Sequence, residues 1–192
     1  MASVPPGKLV VLSGPSGVGK TTVLGGLFEK CSLPLVRSVS ATTRPPREGE
    51  QDGVDYYFLT EDEFSRRRRA GEFLECFQVY GRGHWYGTLE SEVASGLAAG
   101  KWVVLGIDVQ GAAAVVEKFP DTITIFLRPS SWEELEARLR NRQTETEEEI
   151  QKRLARARSE LALADRYRYQ VVNDCWRRAV DEICSILKRA PA

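Results

Sequence analysis

Eight consecutive residues, Gly14-Pro15-Ser16-Gly17-Val18-Gly19-Lys20-Thr21, satisfy the spacing G-x-x-x-x-G-K-[ST] at every fixed position. Glycines so placed let backbone N–H groups approach a polyphosphate. A helix that begins at the lysine adds partial positive charge. Lys20 then reaches the outer phosphates of a nucleoside triphosphate, and the Thr21 hydroxyl ligates Mg²⁺. A second anion site is suggested by Ser38-Val39-Ser40-Ala41-Thr42-Thr43-Arg44-Pro45-Pro46-Arg47-Glu48-Gly49-Glu50. Arg44 and Arg47, three residues apart and flanked by hydroxyls, can form a fork for a phosphate. Pro45-Pro46 limits the backbone freedom lost on binding. An ordinary surface loop with solvated arginines is the alternative.

The elements that must position these groups are marked in the pattern. Leu9-Val10-Val11-Leu12 reads as a buried strand before the glycine loop, and Val23, Leu24, Leu27 and Phe28 recur as one face of a helix after it. Trp102–Ile107, Thr122–Leu127 and Tyr169–Val172 read as further strands, and a closing helix carries Val180, Ile183, Ile186 and Leu187. Alternating strands and helices predict an α/β fold, a parallel sheet with helices on both faces. Thr60 with Glu63, Ser131 with Glu134, and Thr146 with Glu149 fit the capping box. The segment from Val36 to Gly100 breaks the rhythm and reads as an inserted, partly β subdomain. Arg138 to Arg158 is crowded with Arg and Glu, yet Ile150, Leu154, Ala157 and Leu161 keep helical spacing.

Composition narrows the partners. A chain of 192 residues predicts one domain with an inserted or appended subdomain. Lys+Arg and Asp+Glu are equal at 27 each, so no net field favours nucleic acid or an anionic membrane. The run Arg66-Arg67-Arg68-Arg69 accordingly reads as a solvated helix face. The longest apolar stretch, Trp102 to Val109, is broken by Gly106 and Asp108 and is too short to span a bilayer. Met1 to Gly7 has no apolar leader core. Cys31, Cys76, Cys175 and Cys184 lack the spacing of zinc or redox motifs. A cytoplasmic protein without nucleic-acid or membrane partners is expected.

The glycine loop, Ser38 to Arg47, Gly53-Val54-Asp55-Tyr56-Tyr57-Phe58, Tyr86-Gly87-Thr88, Ile107-Asp108-Val109-Gln110-Gly111 and Arg142-Gln143-Thr144-Glu145-Thr146-Glu147 together resemble the guanylate kinase family, in family order over nearly the whole chain. The resemblance implies a P-loop NTPase-type three-layer fold with a parallel sheet. It implies one domain, with a core of 1–36, 101–137 and 159–192, a GMP-binding subdomain of 37–100 and a helical lid of 138–158. It further implies transfer of the γ-phosphoryl of ATP to GMP with Mg²⁺. ATP would lie on Gly14, Pro15, Ser16, Gly17, Val18, Gly19, Lys20, Thr21 and Thr22, with Arg138 and Asn173 on its adenine side or, for Arg138, at the phosphates. The GMP phosphate would meet Arg44, Arg47, Tyr56 and Tyr86, and the guanine Ser40, Glu75, Thr88 and Asp108. Lys20, Arg44, Arg142 and Arg153 would form the catalytic set, the last two closing over the transferring group. A carboxylate suits guanine because it accepts from both N1–H and the exocyclic amine, whereas adenine has no donor at N1. Without the resemblance Glu75 reads equally as a solvated helix-end residue.

Two departures from the family pattern stand out. Gly106 replaces a usual acidic residue near the metal or phosphates, which implies weaker Mg²⁺ binding or a slower rate. The loop Tyr80-Gly81-Arg82-Gly83-His84-Trp85 is about two residues longer than usual, and His84 reads as a loop or packing residue. Arg156 and Arg158 read only as helix-surface partners of glutamates. Two other function classes remain at this stage. One is a guanylate-kinase-like protein-binding module that has lost catalysis. The other is a GTPase switch, since Asp108-Val109-Gln110-Gly111 fits D-x-x-G, although no N-K-x-D motif follows.

Overall fold

The structure is a computed structural model that describes residues 7–78, 83–141 and 146–190. The chain folds as two compact units. One comprises the N-terminal residues to Leu9, Pro34–Leu105 and Gln110–Thr122; the other comprises Val10–Leu33, Gly106–Val109 and the chain from Ile123 onward.

In the second unit, β1 (Lys8–Ser13) pairs in parallel with β8 (Ile123–Arg128), setting Val10 opposite Ile123 and Ser13 opposite Phe126. β8 pairs in parallel with β9 (Tyr169–Val172). Val10, Val11, Leu12, Ile125, Phe126, Leu127 and Val171 are no more than 1% exposed. Such unbroken apolar runs are what a parallel strand covered on both faces requires. The loop 14–19 follows β1 directly and leads into α1 (Lys20–Lys30), which packs on α7 (Trp176–Arg189); Val23 and Leu27 of α1 and Val180, Ile183 and Leu187 of α7 are buried. Gly26 permits this approach, because a Cβ there would lie 2.7 Å from the Trp176 ring. α5 (Trp132–Arg140) and α6 (Glu147–Leu161) close on each other through Leu135, Leu139, Ile150, Leu154 and Ala157.

In the first unit, β2 (Leu35–Arg37) runs parallel to β7 (Trp102–Gly106). A separate four-stranded mixed sheet has the order β4-β3-β6-β5, where β3 is Ser40–Thr42, β4 Tyr57–Phe58, β5 Phe73–Gln78 and β6 Trp85–Leu89. β6 is antiparallel to both β3 and β5, and β4 is parallel to β3. Helices α2 (Glu61–Arg69), α3 (Glu90–Ala98) and most of α4 (Val109–Lys118) complete this unit. Its small core is Ala41, Phe64, Phe73 and Leu89 with Trp85 against it. The Phe64 and Phe73 rings stack at 4.4 Å between centroids.

All three expected helix starts are found. Thr60, Ser131 and Thr146 accept from the backbone N–H of Glu63, Glu134 and Glu149 at 3.2, 3.1 and 3.4 Å. The reciprocal bond that completes the capping box is present at Thr146, whose N–H donates to Glu149. Glu63 instead accepts from Arg66 and Arg67, and Glu134 from Arg138. An arginine one turn on offers a charge-assisted bond that competes for the capping carboxylate.

Phe64 is 1% exposed in a core of few residues. Phe64→Ala is therefore expected to cost about 3–5 kcal/mol, read as a lower urea midpoint. A loss below about 1 kcal/mol would mean that the small sheet does not depend on this stack.

Candidate active site

The loop after β1 is shaped by backbone that only glycine adopts without strain. Gly14 and Gly19 have φ of 148° and 95°, and a Cβ would lie 2.4 Å from the Leu127 carbonyl oxygen or 2.7 Å from Asn173 Nδ2, respectively. Lys20 folds back over the loop, its Nζ donating to the carbonyls of Gly14 at 2.5 Å and Pro15 at 3.2 Å. Desolvation pulls its pKa below the ordinary lysine value, while Glu160 and Asp108 oppose that shift. Thr21 and Thr22 are exposed in the first turn of α1. Asn173, only 4% exposed, donates to the Val18 carbonyl at 2.7 Å. Arg138 donates to the same carbonyl at 3.3 Å and also to that of Asn173. These two residues thus converge on the back of the loop.

α6 reaches the loop with two side chains. Arg153 donates to the Ser16 hydroxyl at 3.0 Å, and the Ser16 N–H donates to Glu160 at 3.2 Å. Glu160 is 4% exposed and accepts on its other oxygen from Arg156, which also donates to Asp108 at 3.0 Å. Arg156 is therefore more than the helix-surface partner expected of it. Its pairing with Glu160 follows the i,i+4 rule, but only tertiary contact adds Asp108, from the turn after β7. Arg158 is exposed and lies 4.6 Å over the Trp132 ring.

The first unit carries the arginine fork. Arg44 is 7% exposed, and its two terminal nitrogens donate to both oxygens of Glu50 at 2.8 and 3.0 Å. Its Nε donates to the Tyr86 hydroxyl at 3.2 Å, and its guanidinium lies 5.4 Å over Tyr56. Tyr56 and Tyr86 meet edge to face at 5.9 Å. Arg47 is exposed, and its backbone N–H donates to Glu50 at 2.7 Å. The threonine hydroxyls have other duties: Thr42 donates to the Trp85 carbonyl, and Thr43 accepts from the Trp85 N–H. They fix the turn that delivers Arg44.

Across the same sheet, Ser40 stands opposite Thr88, and Thr88 opposite Glu75. The Thr88 hydroxyl donates to the Glu75 carboxylate at 2.6 Å, and Glu75 is 9% exposed. Glu75 is thus a buried strand residue, not a solvated helix end. Ser40, Arg44, Arg47, Tyr56, Glu75, Tyr86 and Thr88 gather in the first unit. The loop residues, Arg138, Arg153, Asn173 and Asp108 gather in the second. Arg142 lies outside the described residues, as do positions 79–82 of the long loop. Glu50 carries no sequence signal beyond its charge, since its partner Arg44 lies across a proline turn; at Glu160 the spacing shows only the Arg156 partner, and the bond from the Ser16 N–H comes from another element.

Among the described residues, no group of three or more His, Cys, Asp or Glu side chains is placed to hold a metal unaided. One exposed hydroxyl at Thr21 fits an ion that arrives with a polyphosphate, because Mg²⁺ retains water and takes phosphate oxygens. At Gly106 a Cβ would lie 2.5 Å from Leu24 Cδ1, so an acidic side chain there would have to displace that methyl group.

Comparison with known proteins identifies the family. A family model described as guanylate kinase matches residues 6–190. A guanylate kinase of Rhodopirellula baltica is 54% identical over 183 residues, 95% of this chain and 88% of its own length. One of Thermotoga maritima is 45% identical over 182 residues, covering 95% and 86%. The crystal structure of guanylate kinase from Anaplasma phagocytophilum superposes with a TM-score of 0.80 at 34% identity, covering 96% of this chain and 86% of that one.

The Arg44 guanidinium holds the Glu50 carboxyl below its ordinary pKa of 4.5. A lowered folded-state pKa stabilises the fold above the unfolded value, and that contribution is lost as pH falls through the folded value. Glu50→Gln is expected to cost about 1–3 kcal/mol at neutral pH. The gap to wild type should narrow as the pH falls below the ordinary value of 4.5 and close in acid once Glu50 is protonated in the folded state. Urea melts at both pH values test this, and a gap that persists unchanged in acid would contradict it.

Proposed function

Since the chain belongs to the guanylate kinase family, we propose a division of its residues between the two substrates of the family's reaction. The enzyme transfers the γ-phosphoryl of ATP to GMP, giving ADP and GDP. The observation that carries the division is that one unit holds an intact phosphate loop and the other holds the buried Arg44 guanidinium.

ATP is assigned to Gly14–Thr22. When a triphosphate is bound, the Lys20 ammonium exchanges the Gly14 and Pro15 carbonyls for phosphate oxygens. The first turn of α1 adds its N–H groups. Thr21 would hold a Mg²⁺ ion, which would supply charge neutralisation to the polyphosphate when bound. Asn173 and Arg138 support the loop from behind through Val18, near the donor's adenine side. Arg153, already at the Ser16 hydroxyl, and Arg142, assigned from its motif, supply positive charge as negative charge spreads in the transition state. The segment 138–158 is read as the lid that excludes water from the γ-phosphoryl group.

GMP is assigned to 37–100, with its phosphate on Arg44, Arg47, Tyr56 and Tyr86. Glu50 keeps the Arg44 fork oriented before substrate arrives, and the bidentate geometry suits a dianion. Glu75, held by Thr88, accepts from the guanine N1–H and amino group, with Ser40 beside the base; Asp108 is assigned to guanine from its motif alone. No general base is required, because the acceptor phosphate oxygens are already ionised near neutral pH. Lys20, Thr21, Arg44 and Arg153 are all present in the chain, which favours an enzyme over a binding module. The proposed setting is the cytoplasm; no helix among the described residues is long and apolar enough to cross a membrane.

A coupled assay of ADP release with ATP, Mg²⁺ and GMP, AMP or UMP tests the reading. Turnover is expected with GMP far above the other two, and Lys20→Ala is expected to lower kcat by about 10²–10³-fold. Glu75→Gln should raise KM for GMP about tenfold or more, the equivalent of about 1–3 kcal/mol, with KM for ATP nearly unchanged. Equal effects on both substrates would remove Glu75 from the guanine site. ADP release no greater than that of Lys20→Ala would overturn the assignment of the loop.

A further inference from the structure

β5 is the last strand of the small sheet, and its pairing with β6 is irregular at one place. Phe73 stands opposite Leu89 and Glu75 opposite Thr88, so the register passes over Leu74. One residue is extra on β5, and such a bulge re-aims the side chain that follows it. That side chain is Glu75. Leu74 is 2% exposed, so its carbonyl lies where an unpaired acceptor is costly. The carbonyl accepts from the Lys118 Nζ, delivered from the last turn of α4. α4 is anchored by Val115, which is fully buried, so the lysine stem starts from a fixed point. Beyond Glu75, burial raises the pKa of the Cys76 thiol, the Glu75 charge adds to that rise, and the charges of Arg68 and Lys118 oppose it.

We propose that Lys118 is a positioning residue for guanine recognition: by bonding the Leu74 carbonyl it fixes the β5 bulge and thereby sets the direction of the Glu75 carboxylate. The proposal rests on the reading of Glu75 as the group that accepts from guanine. Lys118 touches no substrate and acts through the backbone. A purely structural lysine, closing a helix C-terminus by its charge, would affect melting but not the choice of base.

The test is steady-state kinetics of Lys118→Met, Lys118→Arg, Glu75→Gln and the Lys118→Met/Glu75→Gln double variant. Each is assayed with GMP and with inosine monophosphate, which lacks the exocyclic amine. Lys118→Met is expected to raise KM for GMP about tenfold and to narrow the preference for GMP over inosine monophosphate, leaving kcat within about twofold and KM for ATP unchanged. Lys118→Arg keeps a donor and should return KM to within about threefold of wild type. The double variant should be no worse than Glu75→Gln alone, because both changes remove the same contact. Thermal melts establish folding at the assay temperature, and Lys118→Gln, a smaller change that keeps a weaker donor, takes the place of Lys118→Met if the latter does not fold. A wild-type KM in Lys118→Met, an equal rise in KM for ATP, or effects that multiply in the double variant would overturn the role of Lys118 alone. A wild-type KM for GMP in Glu75→Gln would overturn the reading of Glu75 and the proposal with it.

Discussion

Lys20, Arg44, Arg153 and Arg156 are cations brought partly out of water, where a charge without a partner costs several kcal/mol. Each is therefore bonded to an oxygen of its own chain: Lys20 to loop carbonyls, Arg44 to Glu50, Arg153 to the Ser16 hydroxyl, Arg156 to Asp108 and Glu160. Holding positive charge ready for phosphates while keeping it satisfied is the constraint on which the remaining structure depends. It explains why buried acids appear beside the basic groups of a protein built to take polyanions. Glu50 occupies Arg44 with two oxygens, a geometry close to that of a phosphate oxygen pair, whereas Glu160 shares its two oxygens between Arg156 and the Ser16 N–H.

The scaffold meets this constraint through strands whose position leaves little freedom. β1 lies against β8 with every residue from Leu9 to Ser13 buried, so the loop that follows emerges from a fixed point. Gly14 and Gly19 then turn the backbone where a side chain would meet Leu127 or Asn173. In the first unit, Thr42 and Thr43 tie the turn before Arg44 to Trp85 on β6. That strand also carries Tyr86 and Thr88. A single strand therefore coordinates the arginine fork with the Glu75 carboxylate, and a small distortion of β6 reaches both.

Much of this was legible in the chain because it follows from local rules. The runs Trp102–Ile107, Thr122–Leu127 and Tyr169–Val172 became β7, β8 and β9 within a residue at each end. Thr60, Ser131 and Thr146 cap α2, α5 and α6. What local pattern did not convey was the second half of the capping boxes at Glu63 and Glu134, where arginines take the carboxylate. Arg156 shows the same limit. Spacing announces its bond to Glu160, but the bond to Asp108 joins residues 48 apart and has no periodic trace.

The sequence by itself determined the phosphate loop, the arginine pair and the alternation of strand and helix. Those depend on residue type at short spacing, where backbone geometry is nearly the same in any fold. The tertiary structure decided which charges are balanced by which partners. It buried Glu75 on a bulged strand, placed Glu50 on Arg44 and Glu160 behind Ser16, and brought Lys118 to the Leu74 carbonyl. Such choices rest on desolvation and on distances between elements remote in the chain. Neither quantity exists until the elements have packed.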